Sequence, residues 1–580
     1  MAKKETRSGA EAVVESLEAA GVEAVFGYPG GAVLDIFDFL TGAKFPFVLG
    51  RHEQGCIHMA DGYARATGKP GTCIVTSGPG ATNIVTGLAT ANIDGIPLVA
   101  ITGQVSLPLI GTDAFQEADT TGLTRSVSKH NFLVHSADEI PETIAEAYYI
   151  ATHGKPGPVV IDIPKNCQQA MTSAQYPERV SLRAYHPESW ATAPEIARLA
   201  KLVNEAERPV IYAGGGVIAS EAAKEVAALA HRADIPVATT LMGLGAFDEN
   251  DPLSLRMAGM HGTPAANMAI NEADLVIALG VRFSDRVTGR LSKYAPAAKI
   301  VHIDCDRASI GKNVRAALGI TADVKDALTA VASRIKAAKR PEWTARVRGR
   351  LEEKPASWKR SRPGVIMPQE AIEAIGRAAK GRAIVATDVG QHQMWAAQFL
   401  RHAKPRRFLT SGGMGTMGFG IPAAIGAAVA RPDLKPVAIV GDGGAQMTFE
   451  EVVVAVERSL PVAFFVINNG CLGMVRQWQE LFYRKNYSGS ILTPGGRAAN
   501  EKIDAECVKN GRYLPDFVQL AKAHGAAAWR VTDPAKLDAA VARAIRSKKT
   551  TLVEIVVDPG ANVYPMIPAG RTVADTVYGN

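Results

Sequence analysis

Val437-Ala438-Ile439-Val440 runs into Gly441-Asp442-Gly443-Gly444. A helix-like segment follows, then a second apolar run Val462-Ala463-Phe464-Phe465-Val466-Ile467 and Asn468-Asn469-Gly470-Cys471-Leu472-Gly473. The order reads as strand, turn, helix, strand, turn. A right-handed crossover returns the chain to the edge it left, so both turns are expected at one edge of a parallel sheet, with Asp442 and Asn469 as neighbours. One carboxylate, one amide oxygen and glycines that let phosphate oxygens approach the backbone suit a Mg²⁺ held mostly by a diphosphate, because Mg²⁺ takes oxygen ligands and few of them from protein. Gly-Asp-Gly alone is also a tight-turn sequence. The paired Asn-Asn at the end of the next apolar run favours the metal reading.

The 580-residue chain is too long for one core and implies three or four domains. With 47% hydrophobic and 21% charged residues, neither disorder nor a fibrous class fits. The net charge of +7 is spread thinly, which argues against nucleic acid as a partner. Six scattered cysteines, with no CxxC pair, fit a reducing compartment. No apolar run approaches a membrane span, and Met-Ala-Lys-Lys passes into an amphipathic helix without a signal segment, so the expectation is a cytoplasmic protein with no membrane contact.

Three α/β blocks are expected, each a doubly wound, mainly parallel sheet, over residues 1–180, 190–345 and 365–580. In the first, apolar runs at 24–26, 47–49, 73–76 and 98–101 alternate with helices, and Gly27-Tyr28-Pro29-Gly30-Gly31 and Ser77-Gly78-Pro79-Gly80 form Gly-rich turns. A polar stretch at 176–194 reads as a linker. The second block holds Pro209-Val210-Ile211-Tyr212-Ala213 followed by Gly214-Gly215-Gly216, and its runs at 275–280 and 299–304 end in a turn or an acid. A nucleotide-binding sheet has this form, yet so does a structural one with tight turns. The charged segment 336–363 reads as an exposed connector. The third block opens with a helix near Glu370, then Ala383-Ile384-Val385-Ala386-Thr387 and the turn Asp388-Val389-Gly390-Gln391-His392-Gln393.

Gly413-Met414-Gly415-Thr416-Met417-Gly418 matches GxGxxG with Asp442 downstream, the pattern of a dinucleotide-binding dehydrogenase. The run before it, Arg406-Arg407-Phe408-Leu409-Thr410-Ser411, is a poor central strand, and Asp442 already sits in a phosphate-shaped turn, so that reading is weak. Arg51-His52-Glu53-Gln54 is not a zinc HExxH, since His52 and His58 do not share a helical face. Glu53 is either a helix-start carboxylate favoured by the dipole or an acid that exchanges a proton with a cofactor nitrogen. Trp478 is either core or a substrate wall.

These motifs together resemble a known family. Gly441-Asp442-Gly443 and Asn468-Asn469 are similar to the thiamine diphosphate signature, and Arg51-His52-Glu53-Gln54 to its activating-glutamate segment. Gly27 to Gly31, Ala114-Phe115-Gln116-Glu117, Gly259-Met260-His261-Gly262, Gly280-Val281-Arg282-Phe283-Ser284-Asp285-Arg286, Met474 to Trp478 and Tyr564-Pro565-Met566-Ile567-Pro568 resemble the catalytic subunits of the acetohydroxyacid synthase (acetolactate synthase) family, along essentially the whole chain.

The resemblance implies a pyrimidine-binding domain, a central FAD-binding domain and a diphosphate-binding domain, with active sites at a dimer interface. It implies decarboxylation of pyruvate on thiamine diphosphate and transfer of the hydroxyethyl carbanion to a second 2-ketoacid, giving 2-acetolactate or 2-aceto-2-hydroxybutyrate. Glu53 of one subunit would activate a cofactor whose Mg²⁺ sits on Asp442, Asn469 and the Cys471 carbonyl of the other. Gly415 and Met417 would hold the cofactor's folded shape. Val389, Gly390, Gln391, His392, Gly441, Gly443, Gly444, Leu472, Gly473 and Met474 would surround it, with Pro29, Gly30, Gly31 and Ala32 as the loop over it. Arg286 would hold the second ketoacid's carboxylate and Trp478 its side chain, and Gln116, Phe115 and Lys165 would line the channel. A structural FAD would touch Gly214, Gly215, Gly216, Met260, His261, Gly262, Gly280, Arg282, Asp304 and Asp323. Partners would be a second copy, in a homodimer or homotetramer, and a separate small regulatory subunit.

Ser284 and Cys305 depart from the family's usual residues beside the FAD site, and segment 486–513, beside Trp478, is long enough to read as a lid. The competing reading is another thiamine diphosphate enzyme, such as a sulfoacetaldehyde acetyltransferase or a FAD-free catabolic acetolactate synthase.

Overall fold

The computed structural model describes residues 6–187, 189–492 and 515–579. Most of segment 486–513 therefore lies outside the described residues. A short antiparallel ribbon pairs β1 (Arg7–Ser8) with β8 (Met171–Thr172) at the foot of the first unit. Between them lie β2 (Val25–Tyr28), β3 (Phe47–Leu49), β4 (Gly71–Val75), β5 (Leu98–Gln104), β6 (His130–Leu133) and β7 (Pro158–Pro164). They form a parallel sheet of order β3-β2-β4-β5-β7-β6.

The middle unit carries β9 (Pro209–Ala213), β10 (Val237–Thr239), β11 (Ser254–Met257), β12 (Leu275–Leu279), β13 (Lys299–Asp304) and β14 (Leu318–Thr321). Their order is β11-β10-β9-β12-β13-β14, the doubly wound arrangement whose switch point lies between the first and fourth strands. The last unit carries β15 (Ala383–Thr387), β16 (Phe408–Leu409), β17 (Lys435–Gly441), β18 (Ala463–Asn468), β19 (Ala527–Val531) and β20 (Thr551–Val556). Its order, β16-β15-β17-β18-β20-β19, repeats that of the first sheet strand for strand.

The central strands are continuous apolar runs because each sheet is covered on both faces, and successive residues point to opposite sides. In the first sheet Val25, Ile74, Val99 and Ile161 enter one core while Phe26, Cys73, Ala100 and Val160 enter another. That second core is shared with the last unit through Ile421, Ala424, Val440 and Phe464. The two units meet where helix Glu53–Thr67 crosses helix Gly420–Ala430. A Cβ on Gly62 would lie 2.6 Å from the Ala423 Cα, and one on Gly426 would lie 2.7 Å from the Met59 carbonyl carbon. Only glycine at both positions lets the two backbones touch.

The charge-rich stretch read as an exposed connector is partly structural. Pro341–Glu353 is a helix that buries Trp343 and Val347 against the middle sheet, and the Trp343 indole donates to the Pro209 carbonyl at 3.0 Å. Its charges lie on the outer face, so residue composition masked a one-sided apolar stripe. No helix among the described residues is long and apolar enough to cross a membrane.

Candidate functional site

In the last unit β15 and β17 are neighbours although one full strand, β16, lies between them in sequence. Their carboxyl ends diverge, which opens a crevice. Three helices begin there: Gln391–Phe399 after Gly390, Asp442–Ala445 after Gly441, and Gly473–Phe482 after Leu472. None of the three has a side-chain cap from its N-cap residue; the Gly443 N–H donates to the Asp442 carboxylate at 3.0 Å, and the first-turn N–H groups of the other two helices are left for an anion. The glycines leave no room for larger residues. A Cβ on Gly441 would lie 2.8 Å from the His392 Nδ1, one on Gly473 2.7 Å from the Asn469 Nδ2, and one on Gly444 2.6 Å from the Asp388 carboxyl carbon.

Asp442 and Asn469 follow β17 and β18, whose ends pair Gly441 with Ile467, so the two turns do open at one edge. Asp442 is buried, and burial pushes its carboxyl up to about 7 despite the N–H groups of Gly443, Gly470 and Cys471 around it. A carboxylate held out of water in this way gains from a bound cation. The Asn469 Nδ2 donates to the Gln391 Oε1 at 3.2 Å, while its Oδ1 accepts from the Cys471 N–H at 3.2 Å and has a second lone pair to offer. Among the described residues no cluster of three His, Cys, Asp or Glu side chains is arranged to hold a metal. A hard-oxygen set of carboxylate, amide oxygen and backbone carbonyl, completed by ligand oxygens, fits Mg²⁺. His392 is buried, burial lowers its imidazole to about 3, and its Nε2 has no partner among the described residues. The neutral ring lines the cavity, and a neutral imidazole carries one N–H that a phosphate oxygen can accept from.

These groups form one end of a cavity of about 920 Å³. Val389, Gly390, Gln391, His392, Gly415, Met417, Gly441, Gly443, Gly444, Leu472, Gly473 and Met474 all line it, as do Asp442, Asn469 and Cys471. The other end lies over the switch point of the middle sheet, between β9 and β12, and is lined by Gly215, Gly216, Met260, His261, Gly280, Arg282, Asp304 and Asp323. Gly214 and Gly262, expected there, do not line it. The Cα–H face of Gly214 packs on the Gly280 backbone and that of Gly262 on Ala258. Burial raises the Asp304 carboxyl at the end of β13 to about 6. Ser284 and Cys305 line the same end without obstructing it. Arg286 and Trp478 meet at the wall, with the guanidinium 5.5 Å from the indole centroid, and the Trp478 Nε1 is unpartnered among the described residues.

Glu53, Pro29, Gly30, Gly31, Phe115, Gln116 and Lys165 lie elsewhere and do not line this cavity. They gather at the carboxyl edge of the first sheet. Glu53 opens helix Glu53–Thr67 after β3 and accepts from the Asn83 amide at 2.9 Å. Lys165 follows β7 and donates to the Gly31 carbonyl at 3.2 Å. Gln116, with φ 60°, lies against Gly78, and Phe115 is 88% exposed. Within one chain the Glu53 group and the Asp442 cavity therefore lie apart.

Sequence reading assigned no role to two carboxylates that fix the loop bearing Gly415 and Met417. Asp94, from the first unit, accepts from the Gly412 and Gly413 N–H groups at 3.0 and 2.8 Å, and with Asp61 it pairs with the buried Arg65. Asp388 is fully buried and accepts from Val389 at 2.7 Å, from Gly418 at 3.0 Å and from Gly420 at 3.1 Å. Its place directly after β15, matching that of Asp442 after β17, was the available signal; Asp94, at a helix end, gave none. The GxGxxG match lies between edge strand β16 and helix Gly420–Ala430, in a loop shaped by these carboxylates and not in a strand-to-helix turn.

The thiamine pyrophosphate enzyme family models match the chain in three places: the N-terminal TPP binding domain over residues 7–123, the central domain over 196–341 and the C-terminal TPP binding domain over 388–555. The chain is 44% identical over 584 residues to the acetolactate synthase large subunit of Corynebacterium glutamicum, covering 100% of this chain and 91% of the relative. It is 46% identical over 574 residues to an acetolactate synthase of Mycobacterium bovis, covering 97% and 90%. It is 44% identical over 587 residues to acetolactate synthase 3, chloroplastic, of Brassica napus, covering 99% and 87%.

Proposed function

This chain belongs to the thiamine pyrophosphate enzymes, and from that premise we propose that it is an acetohydroxyacid synthase, joining pyruvate to a second 2-ketoacid with loss of CO₂ to give 2-acetolactate or 2-aceto-2-hydroxybutyrate. The observation that carries this reading is the convergence of three helix N-termini on Asp442 and Asn469 at a switch point. Full-length similarity to acetolactate synthases narrows it from the cofactor class to the reaction.

Thiamine diphosphate, when bound, supplies the electron sink for decarboxylation. Asp442, Asn469 and the Cys471 carbonyl would hold its Mg²⁺, while the helix N-termini and His392 would hold the diphosphate. Gly415 and Met417, which line the same cavity, would hold the cofactor's pyrimidine ring. Glu53 holds a proton for the pyrimidine ring nitrogen. Because Glu53 does not line the Asp442 cavity, a second copy of the chain completes each site. Exposed Tyr28, Leu49, Leu109, Ile110 and Phe115 beside the Glu53 edge support such an interface. Gln116, Phe115 and Lys165 then line the approach. Arg286 binds the second ketoacid's carboxylate, for which a guanidinium fork is suited, and Trp478 shapes the space for its side chain.

FAD in the middle unit is part of the proposal. It rests on the doubly wound strand order and on a cavity end that carries Asp304 and Asp323. A small regulatory partner is suggested by the words "large subunit" in the name of the Corynebacterium glutamicum relative. The domain limits follow the three sheets. Cytoplasmic placement rests on five described cysteines that are all free thiols.

Purified protein supplied with thiamine diphosphate, Mg²⁺ and FAD should form acetolactate from pyruvate, and 2-aceto-2-hydroxybutyrate once 2-ketobutyrate is added. Absence of both products would overturn the assignment.

A further inference from the structure

The backbone that leads into Glu53 is tied to another unit. The residues immediately before Glu53, Arg51 and His52, lead from β3 into helix Glu53–Thr67. Both find their acceptor in Glu451, 400 and 399 positions later in sequence, in the turn Phe449–Glu451 of the last unit. The Glu451 Oε2 accepts from the Arg51 N–H at 3.0 Å and its Oε1 from the His52 N–H at 3.0 Å. This carboxylate is fully buried. A Cβ on Gly55 would fall 2.5 Å from its carboxyl carbon, so a glycine two residues beyond Glu53 is what lets Glu451 reach the helix start. The Arg51 side chain pairs with Glu457 of the same segment, a second tie to the last unit.

We propose that Glu451 is a positioning residue for Glu53: its carboxylate receives the Arg51 and His52 N–H groups and so fixes where the Glu53 carboxyl is held. The inference rests on the reading of Glu53 as the group that activates the cofactor. The bonds a carboxylate accepts from N–H groups at a helix N-terminus are charge-assisted and complement the dipole. Glu451 also follows Asp442 by only nine residues in the same unit, so the segment that carries the metal carboxylate of one active site sets the glutamate offered to the neighbouring one.

Glu451→Gln keeps the shape but turns an NH₂ toward a backbone N–H. With thiamine diphosphate and Mg²⁺ bound, exchange of the thiazolium C2 proton in this variant should slow on the order of 10- to 100-fold, the size of effect a misplacement near 1 Å produces. Cofactor affinity should stay within about twofold, since no cradle residue is altered. In the cofactor-free protein, amide hydrogen exchange across residues 51–54 should accelerate while that of 442–445 is unchanged. Gly55→Ala, which pushes on Glu451 from the other side, should give the same pattern and serves if the first variant does not fold. Glu53→Gln is the control. If Glu53→Gln slows C2 exchange and Glu451→Gln and Gly55→Ala do not, the positioning role is wrong and the Glu53 reading stands. If Glu53→Gln leaves exchange unchanged, the reading beneath it fails. Loss of cofactor affinity in parallel with exchange would mean Glu451 is merely structural and would also overturn the inference.

Discussion

Replacing Gly426 by alanine should destabilise the protein although alanine is the better helix former. Gly426 lies in helix Gly420–Ala430, and a Cβ there would sit 2.7 Å from the Met59 carbonyl carbon of helix Glu53–Thr67. The obstacle is backbone, so no rotamer change relieves it. Carbon atoms rest at about 3.5–4.0 Å, so the helices would have to part by roughly 1 Å along their crossing. Overpacking of this kind costs about 1–3 kcal/mol, against about 0.5–1 kcal/mol gained from replacing a helical glycine. The net effect is a loss of up to about 2.5 kcal/mol. Gly349, in helix Pro341–Glu353 with nothing within 4 Å of its Cβ position, is the internal comparison and should gain that smaller amount when changed to alanine. Urea unfolding midpoints of Gly426→Ala and Gly349→Ala should therefore move in opposite directions. The crossing also has a functional reading: one helix starts at Glu53 and the other just after Met417, so Gly426→Ala should also weaken thiamine diphosphate retention. A Gly426→Ala protein as stable as Gly349→Ala, with unchanged cofactor affinity, would refute the claim that backbone contact sets this geometry.

Two further outcomes follow from buried charges. Glu249 is buried between the middle and last units, accepts from the His402 N–H at 3.1 Å and leaves Oε1 without a partner among the described residues. Burial raises its carboxyl to about 8, so the folded protein keeps a proton that the unfolded chain releases near the ordinary value of 4.5. Its contribution to stability falls as pH rises between those two values, by about 1.4 kcal/mol per unit at most, and is constant outside them. Glu249→Gln should abolish that slope, so parallel stability–pH curves for the two proteins would contradict the burial argument. Arg65 is buried and binds Asp61, Asp94 and the Thr410 carbonyl across two units. Arg65→Met should destabilise by about 3–5 kcal/mol, because two carboxylates are left buried without their cation, and a change below 1 kcal/mol in thermal or urea unfolding would count against it.

The sequence by itself determined the strand, turn and helix grammar of all three units and the adjacency of Asp442 to Asn469. Both are local consequences: apolar runs of strand length are covered on two faces, and a right-handed crossover admits one placement of the turns. Strands with weaker signals escaped reading. Phe408–Leu409 and Ser254–Met257 are short edge strands, and Thr551–Val556 carries the buried Glu554, whose charge breaks the apolar run until Arg530 and Asn468 are seen to pair with it. Resemblance supplied the roles proposed for Arg286, Trp478 and the cofactor cradle, residues whose chemistry alone had left ordinary alternatives open.

Only the tertiary structure decided the order of strands within each sheet and the identity of the first and last topologies. It also revealed Asp94, Asp388 and Glu451 as the acceptors that hold the Gly415–Met417 loop and the Glu53 segment. The physical reason is the same in each case. A carboxylate's role depends on which backbone N–H groups are left without partners beside it. Those donors come from elements as much as 400 positions away, where no periodicity or spacing connects them to the acid they meet.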